Sequence, residues 1–280
     1  MPYRNRVRVA VVRSRVLAAA LCLILICAGR VCAQAPDTVL LEELTWTELR
    51  DLIGTKITTI IVPVGGTEQN GPHMTLGKHN ARVKILSEKI ARALGGTLVA
   101  PVIAYVPEGR LSPATGHLRF PGTITVPNET FQKVLEYAAR SFKLHGFRDI
   151  VFLGDHGGTQ ADQKAAAARL NREWAATPVR VHAVDEYYLA TDVEFPRLLS
   201  ERGYRKEELG LHAGLTDTSL MLAVDPRMVR PGRLRPDSWP SGASGVSGDP
   251  TRASAELGRL GVEMIVPRTA EAIRKSIARH

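Results

Sequence analysis

The constraint that narrows the fold most is the alternation along the chain of short, continuous apolar runs with longer amphipathic segments. Ile57 to Val64 (ITTIIVPV) is β-branched and unbroken, which is the pattern of a strand buried on both faces of a parallel sheet. Ala81 to Leu94 follows with Val83, Leu86, Ile90 and Ala93 at helical spacing, and Gly95-Gly96 closes it. Thr97 to Val106 reads as a second strand, Glu129 to Leu144 as a helix, Asp149 to Leu153 as a third strand, and Gln160 to Ala176 as an Ala-rich helix. Val179 to Val184 is a fourth strand, and helices are expected from Thr216 to Ala223 and from Arg252 onward. Strands separated by helices imply a three-layer α/β/α domain with a mostly parallel central sheet. In such sheets ligands gather beyond the carboxyl ends of the strands.

The first 33 residues stand apart. Arg4, Arg6, Arg8, Arg13 and Arg15 precede an apolar run from Val16 to Gly29, and Val31-Cys32-Ala33 then offers a cleavage site. That order is the pattern of a secretory signal. The run of 14 apolar residues is shorter than the roughly 20 that span a bilayer. The expectation is export, to the periplasm in a Gram-negative cell, with no membrane attachment after cleavage and residues 34–280 forming one domain. All three cysteines lie in this segment, so the mature chain has no disulfide and no thiolate ligand. Its loss leaves 31 Lys and Arg against 28 Asp and Glu. No basic block with interleaved aromatics remains, which argues against nucleic acid as a partner. Pro231 to Pro250 reads as a long loop within the domain.

Three clusters that combine Gly with His and carboxylate fall at or after predicted strand ends. Gly65 to Asn80 contains Glu68, His73 and His79; Gly154-Asp155-His156-Gly157-Gly158 follows the third strand; His212 to Ser219 contains Asp217. Carboxylate and imidazole suit zinc, manganese or iron. Each cluster alone also reads as a turn or a solvated loop, and there is no GxGxxG or GxxxxGK[ST] to indicate phosphate binding.

PVGGTEQNGPHMTLGKHN resembles the creatininase signature PVGSxEQHGPHLPLGTD. GDHGG is similar to that family's NGHGGN, HAGLTDTS to HAGxxETS, GVSGDPTRASAELG to GVxGDPxxAxxEKG, and HLRFPGTI is a further shared stretch. These segments run in the same order from about Leu44 to Glu263. The resemblance implies hydrolysis of a C–N bond in a small amide, cyclic amide or formamide, with one or two divalent ions per chain, zinc first and manganese or iron as alternatives. It implies Glu68, His79, His156 and Asp217 as metal-site residues, His212 as the proton-transfer residue, and a homo-oligomer, often a hexamer. Two positions depart from the pattern: Asn70 stands where a histidine ligand is usual, and His79 where a bridging aspartate is usual. Glu68, His79 and His156 then form a His₂Glu set with an open position. The competing reading is a non-catalytic periplasmic binding protein on the same fold. His73, His117, His145 and His182 are read as structural or exposed.

Overall fold

The computed structural model describes residues 36–279, apart from Lys56 and residues 240–243. The signal-segment expectation lies outside the described residues. From Thr38 onward the chain forms one unit. Helix α1 (Trp46–Leu52) opens with a capping box on Thr45 and Glu48. Then come β1 (Thr59–Val64), α2 (Lys78–Leu94), β2 (Thr97–Val99), α3 (Asn128–Leu144), β3 (Asp149–Gly154), α4 (Gln160–Glu173) and β4 (Arg180–Ala183). A helical stretch follows as α5 (Glu186–Leu189), a π-helical turn (Ala190–Glu194) and α6 (Phe195–Glu201), before α7 (Lys206–Leu209), α8 (Leu215–Val224) and α9 (Ala255–Ala278).

The four strands pair in the order β2-β1-β3-β4, all parallel. Alternate β1 residues point to opposite faces, as strand geometry requires. Ile60, Val62 and Val64 pack with Phe131 and Leu135 of α3 and Leu170 of α4. Ile61 packs with Val83, Leu86 and Ile90 of α2 and with Ile265 and Ile273 of α9. Both sheet faces are covered, which explains why β1 is apolar at every position after Thr59 rather than alternating.

Two boundaries differ from the sequence reading for physical reasons. The second strand ends at Val99: Ala100 N still donates to Ile61 O at 2.8 Å, but the next donor due from β1 is Pro63, which has no N–H. Pairing with β1 resumes only at Ile103, which bonds to Pro63 O at 2.9 Å. Helix α2 begins at Lys78 rather than Ala81. Its first turn is buried yet polar, carrying Lys78, His79 and Arg82 inward, so the apolar period there is interrupted. The loop expected over Pro231–Pro250 contains two short 3₁₀ turns and reaches back to pair Ser247 with His212.

Helices α8 and α9 meet at close range because Gly258 has no side chain: a Cβ there would lie 1.9 Å from Ser219 O. His73 is fully buried, its Nε2 3.0 Å from Thr218 Oγ1 and its ring stacked on Trp239. Since the Thr218 hydroxyl is 3.3 Å from Ala213 O and donates to it, His73 Nε2 carries the proton and donates to Thr218. His182 links β4 to Asp149 of β3 and Ser276 of α9, and His145 is an exposed residue after α3. No helix among the described residues is long and apolar enough to cross a membrane.

Replacing Gly258 by Val is expected to lower unfolding stability by about 2 kcal/mol or more through overpacking, read from the urea midpoint. A second expectation concerns His73, whose pKa burial lowers to about 4. The unfolded chain takes up this proton near pH 6.5, while the folded chain resists until about pH 4. The stability from a neutral His73 is therefore present above pH 6.5 and lost as pH falls toward 4. Between those limits wild type should lose up to about 1.4 kcal/mol per pH unit more than His73→Gln. Denaturant titrations at pH 7, 6 and 5 measure the difference.

Candidate metal centre

The centre lies where the carboxyl ends of β1 and β3 meet the N-terminus of α2. β1 delivers the chain to Gly65, where a Cβ would sit 2.1 Å from Asn80 Oδ1. That close approach lets Asn80 accept from Gly66 N at 3.0 Å and brings the following loop over α2. The loop carries Glu68, which is 1% exposed. Asn70 closes the loop by donating through Nδ2 to Glu68 O (2.9 Å) and Thr75 O (3.0 Å). Its amide nitrogen is thus engaged with backbone, while Oδ1 is buried without a hydrogen-bond partner.

His79 sits between two carboxylates, with Nε2 2.7 Å from Glu68 Oε1 and Nδ1 2.7 Å from Asp155 Oδ2. Asp155 is held in turn by Arg82 Nε and by the Tyr187 hydroxyl, which donates at 2.6 Å. The buried Arg82 guanidinium and His79 hold the Asp155 carboxyl below its usual range against the opposing effect of burial. An Asp–His pair of this kind fixes the imidazole so that its other nitrogen is directed at a cation.

His156 follows β3 and reaches the same carboxylate from the opposite side. Its Nε2 lies 3.5 Å from Glu68 Oε2 and 3.2 Å from Glu108 Oε2. Burial alone would lower its pKa, but Glu108 and Glu68 outweigh this and hold it up to about 10. Glu108 was not singled out in the sequence. It is a buried acid directly after Pro107, where the extended chain beyond β2 leaves the same edge of the sheet. That placement was the available signal.

Two groups among the described residues bring three potential metal donors within 4.8 Å of one another, and both contain Glu68. The first is Glu68, His79 and His156; the second is Glu68, His117 and His212. Hydrogen bonding separates them. Gln69 Nε2 donates to His117 Nδ1 at 2.6 Å, while Gln69 Oε1 accepts from Gly71 N, so the amide orientation is set. His117 Nε2 therefore carries a proton and points it at Glu68 Oε2, 3.5 Å away. In the first group the ring nitrogens of His79 and His156 that face Glu68 also carry protons, which an ion must displace, but Asp155 already orients His79 and Glu68 Oε2 is buried without a hydrogen-bond partner. These residues fit a divalent ion bound by two imidazoles and a carboxylate. His117, expected to be structural or exposed, instead forms part of the wall of the site.

His212 donates from Nε2 to Gln69 O at 2.9 Å, which leaves the Nδ1 lone pair facing Glu68 Oε1 at 3.6 Å. Burial first, and Lys78 second, lower its pKa to about 4, so it is neutral near pH 7. The following residue, Ala213, has a positive φ of 54° and donates its N–H to Asp217 Oδ2 at 2.9 Å. Asp217 lies in the first turn of α8 and is tied into ion pairs, with Arg82 Nη1 at 2.6 Å and Lys78 Nζ at 3.1 Å. Its carboxyl is held well below the usual range by these cations, despite burial. It borders the centre without joining either donor group.

These side chains enclose a cavity of about 220 Å³, completed by Tyr188 and by Asp192 of the π-helical turn. A larger groove of about 660 Å³ lies between the end of β4 and α9. It is lined by surface charges such as Glu194, Arg268 and Glu271 and contains neither donor group. The smaller cavity is the one that coincides with reactive geometry.

Comparison with known proteins bears on the fold and the family. Residues 42–273 match the creatininase model, described as creatinine amidohydrolase. The chain is 26% identical to a creatinine amidohydrolase of Pseudomonas putida over 255 residues, covering 85% of this chain and 97% of that one. It is 29% identical to a mycofactocin precursor peptide peptidase of Mycobacterium tuberculosis over 226 residues, covering 72% and 78%. A mutant creatininase structure superposes with a TM-score of 0.72 at 25% identity, covering 86% of this chain and 99% of that one. Solved creatininases at 26% identity and TM-scores of 0.69 and 0.70 include a manganese form and a Zn–Zn form. With the model matched over most of its length and the fold shared, this chain belongs to the creatininase family.

Proposed function

We propose that the protein is a metal-dependent hydrolase of a C–N bond in a small amide, cyclic amide or formamide, with Glu68, His79 and His156 as the metal-holding residues. The observation that carries this reading is the Asp155–His79–Glu68 chain, which orients an imidazole into a small cavity opposite His156. When bound, a divalent ion supplies Lewis acidity, polarising a carbonyl and acidifying water near neutral pH.

The chain's own groups supply the remaining chemistry. His212 Nδ1 has a free lone pair in the cavity wall and accepts a proton from the attacking water. The same atom returns the proton to the leaving nitrogen. Gln69 O keeps the ring in the required tautomer by accepting from Nε2. Arg82 and Tyr187 hold Asp155, and Asp155 holds His79. Lys78 and Arg82 fix Asp217, which in turn anchors the backbone after His212. The size of the cavity suits a small substrate better than an extended peptide. A poised base beside the donor set favours catalysis over a binding-only role. Export after loss of residues 1–33 and assembly as a homo-oligomer belong to the same proposal.

His79→Ala is expected to remove most divalent-ion binding, and Asp155→Asn to weaken it about 10- to 100-fold, measured by elemental analysis and calorimetry. His212→Ala should retain the ion while kcat for a responsive amide falls about 100- to 10,000-fold. Retained ion binding in His79→Ala would remove that residue from the centre. Because the His156 pKa is held up to about 10, an ion that takes its ring nitrogen must displace a proton. Apparent affinity should therefore rise with pH through the neutral range, by about tenfold per unit for one proton. Calorimetry in buffers of different ionisation enthalpy counts the protons released.

A further inference from the structure

We infer that the Lys78 ammonium occupies the place of a second metal ion, so that the centre pairs one divalent ion with one fixed lysine. This rests on the metal-centre reading above. Lys78 is 1% exposed, and its Nζ lies 3.5 Å from Glu68 Oε1 and 3.1 Å from Asp217 Oδ2. Linking two buried carboxylates across the cavity wall is the electrostatic task of a second cation. A solved relative holds two zinc ions, as its Zn–Zn designation states. In this chain the surrounding positions are changed together.

Asn70 directs its amide to Glu68 O and Thr75 O, so it offers no imidazole to a second ion. His79 presents one nitrogen to Glu68 and the other to Asp155, so it cannot bridge two ions as a carboxylate does. Lys78, the residue immediately before it, enters from the first turn of α2 with a charge of its own. Arg82, one helical turn on, takes the other oxygen of Asp217 at 2.6 Å. Formal charge supports the same count. Among the groups paired directly with one another, Glu68, Glu108, Asp155 and Asp217 face Lys78 and Arg82, leaving two negative charges that one divalent ion neutralises; Asp192, which accepts from Tyr188 on the cavity wall, adds at most one more. A second ion would therefore leave uncompensated positive charge in a largely buried site, which is strongly disfavoured. Lys78 also borders the cavity, so the same ammonium faces the substrate.

The test is titration of chelator-stripped protein with Zn²⁺ and with Mn²⁺, combined with elemental analysis, on wild type, Lys78→Gln and Lys78→Arg. Wild type and Lys78→Arg are expected to saturate at one ion per chain. Lys78→Gln, which keeps an N–H donor and loses the charge, should bind its first ion at least about tenfold more tightly. A wild type that binds no ion overturns the metal-centre reading itself. A wild type that takes two tight ions overturns only the lysine inference, as does a folded Lys78→Gln that titrates like wild type. Should Lys78→Gln fail to fold, the stoichiometry of wild type and Lys78→Arg decides: one ion in each supports the inference, and two in either overturns it.

Discussion

The buried carboxylate of Glu68 is the group on which the centre is organised. It has lost its water, and an isolated charge in that position is costly. The cost is offset by donors arriving from three separate segments: Lys78 and His79 from α2, His156 after β3, and His117 from the loop preceding α3. The buried charge therefore depends on all of these segments at once. That dependence explains why α2 turns a polar first turn inward, against the usual rule that charged helix residues face water.

Arg82 is the second organising element. It spans from Asp155, below His79, to Asp217, at the start of α8, and so connects the sheet edge to the His212 loop. Its guanidinium geometry suits two carboxylates at once, which an ammonium cannot match. The positive φ at Ala213 fits the same picture. Backbone strain there is tolerated because Asp217 accepts the Ala213 N–H while the two cations hold Asp217 still. Two imidazoles of contrasting protonation result from neighbours rather than from residue type. His156 is held cationic by Glu108 and Glu68, while His212 is kept neutral by burial and by Lys78.

The order of strands and helices was legible in the sequence, because apolar runs with a period of two or none differ from those with a helical period, and glycines marked the ends. Family membership was legible too, since the motifs from Pro63 to Gly258 occur in one order. The start of α2 was not legible, because Lys78, His79 and Arg82 are polar and hid the helical period. The end of β2 was not legible either, because it is set by Pro63 on the neighbouring strand while the apolar residues on either side of Pro101 carried the reading past it.

What the sequence alone determined is the fold class and the identities of Glu68, His79, His156, His212 and Asp217 as the residues to examine. Burial periodicity, written position by position, suffices for the fold class, and the resemblance of the motifs to the creatininase family points to the residues. What only the tertiary structure decided is which of these share a neighbour. It placed Glu108 and His117 against the centre, tied Asn70 to backbone, set His117 and His212 in their tautomers, and joined Asp217 to Lys78 and Arg82 rather than to the donor group. Those outcomes depend on distances between segments as far apart as 143 positions in the chain, as in the His212–Gln69 bond. They depend also on hydrogen-bond directions, which no spacing along a sequence encodes.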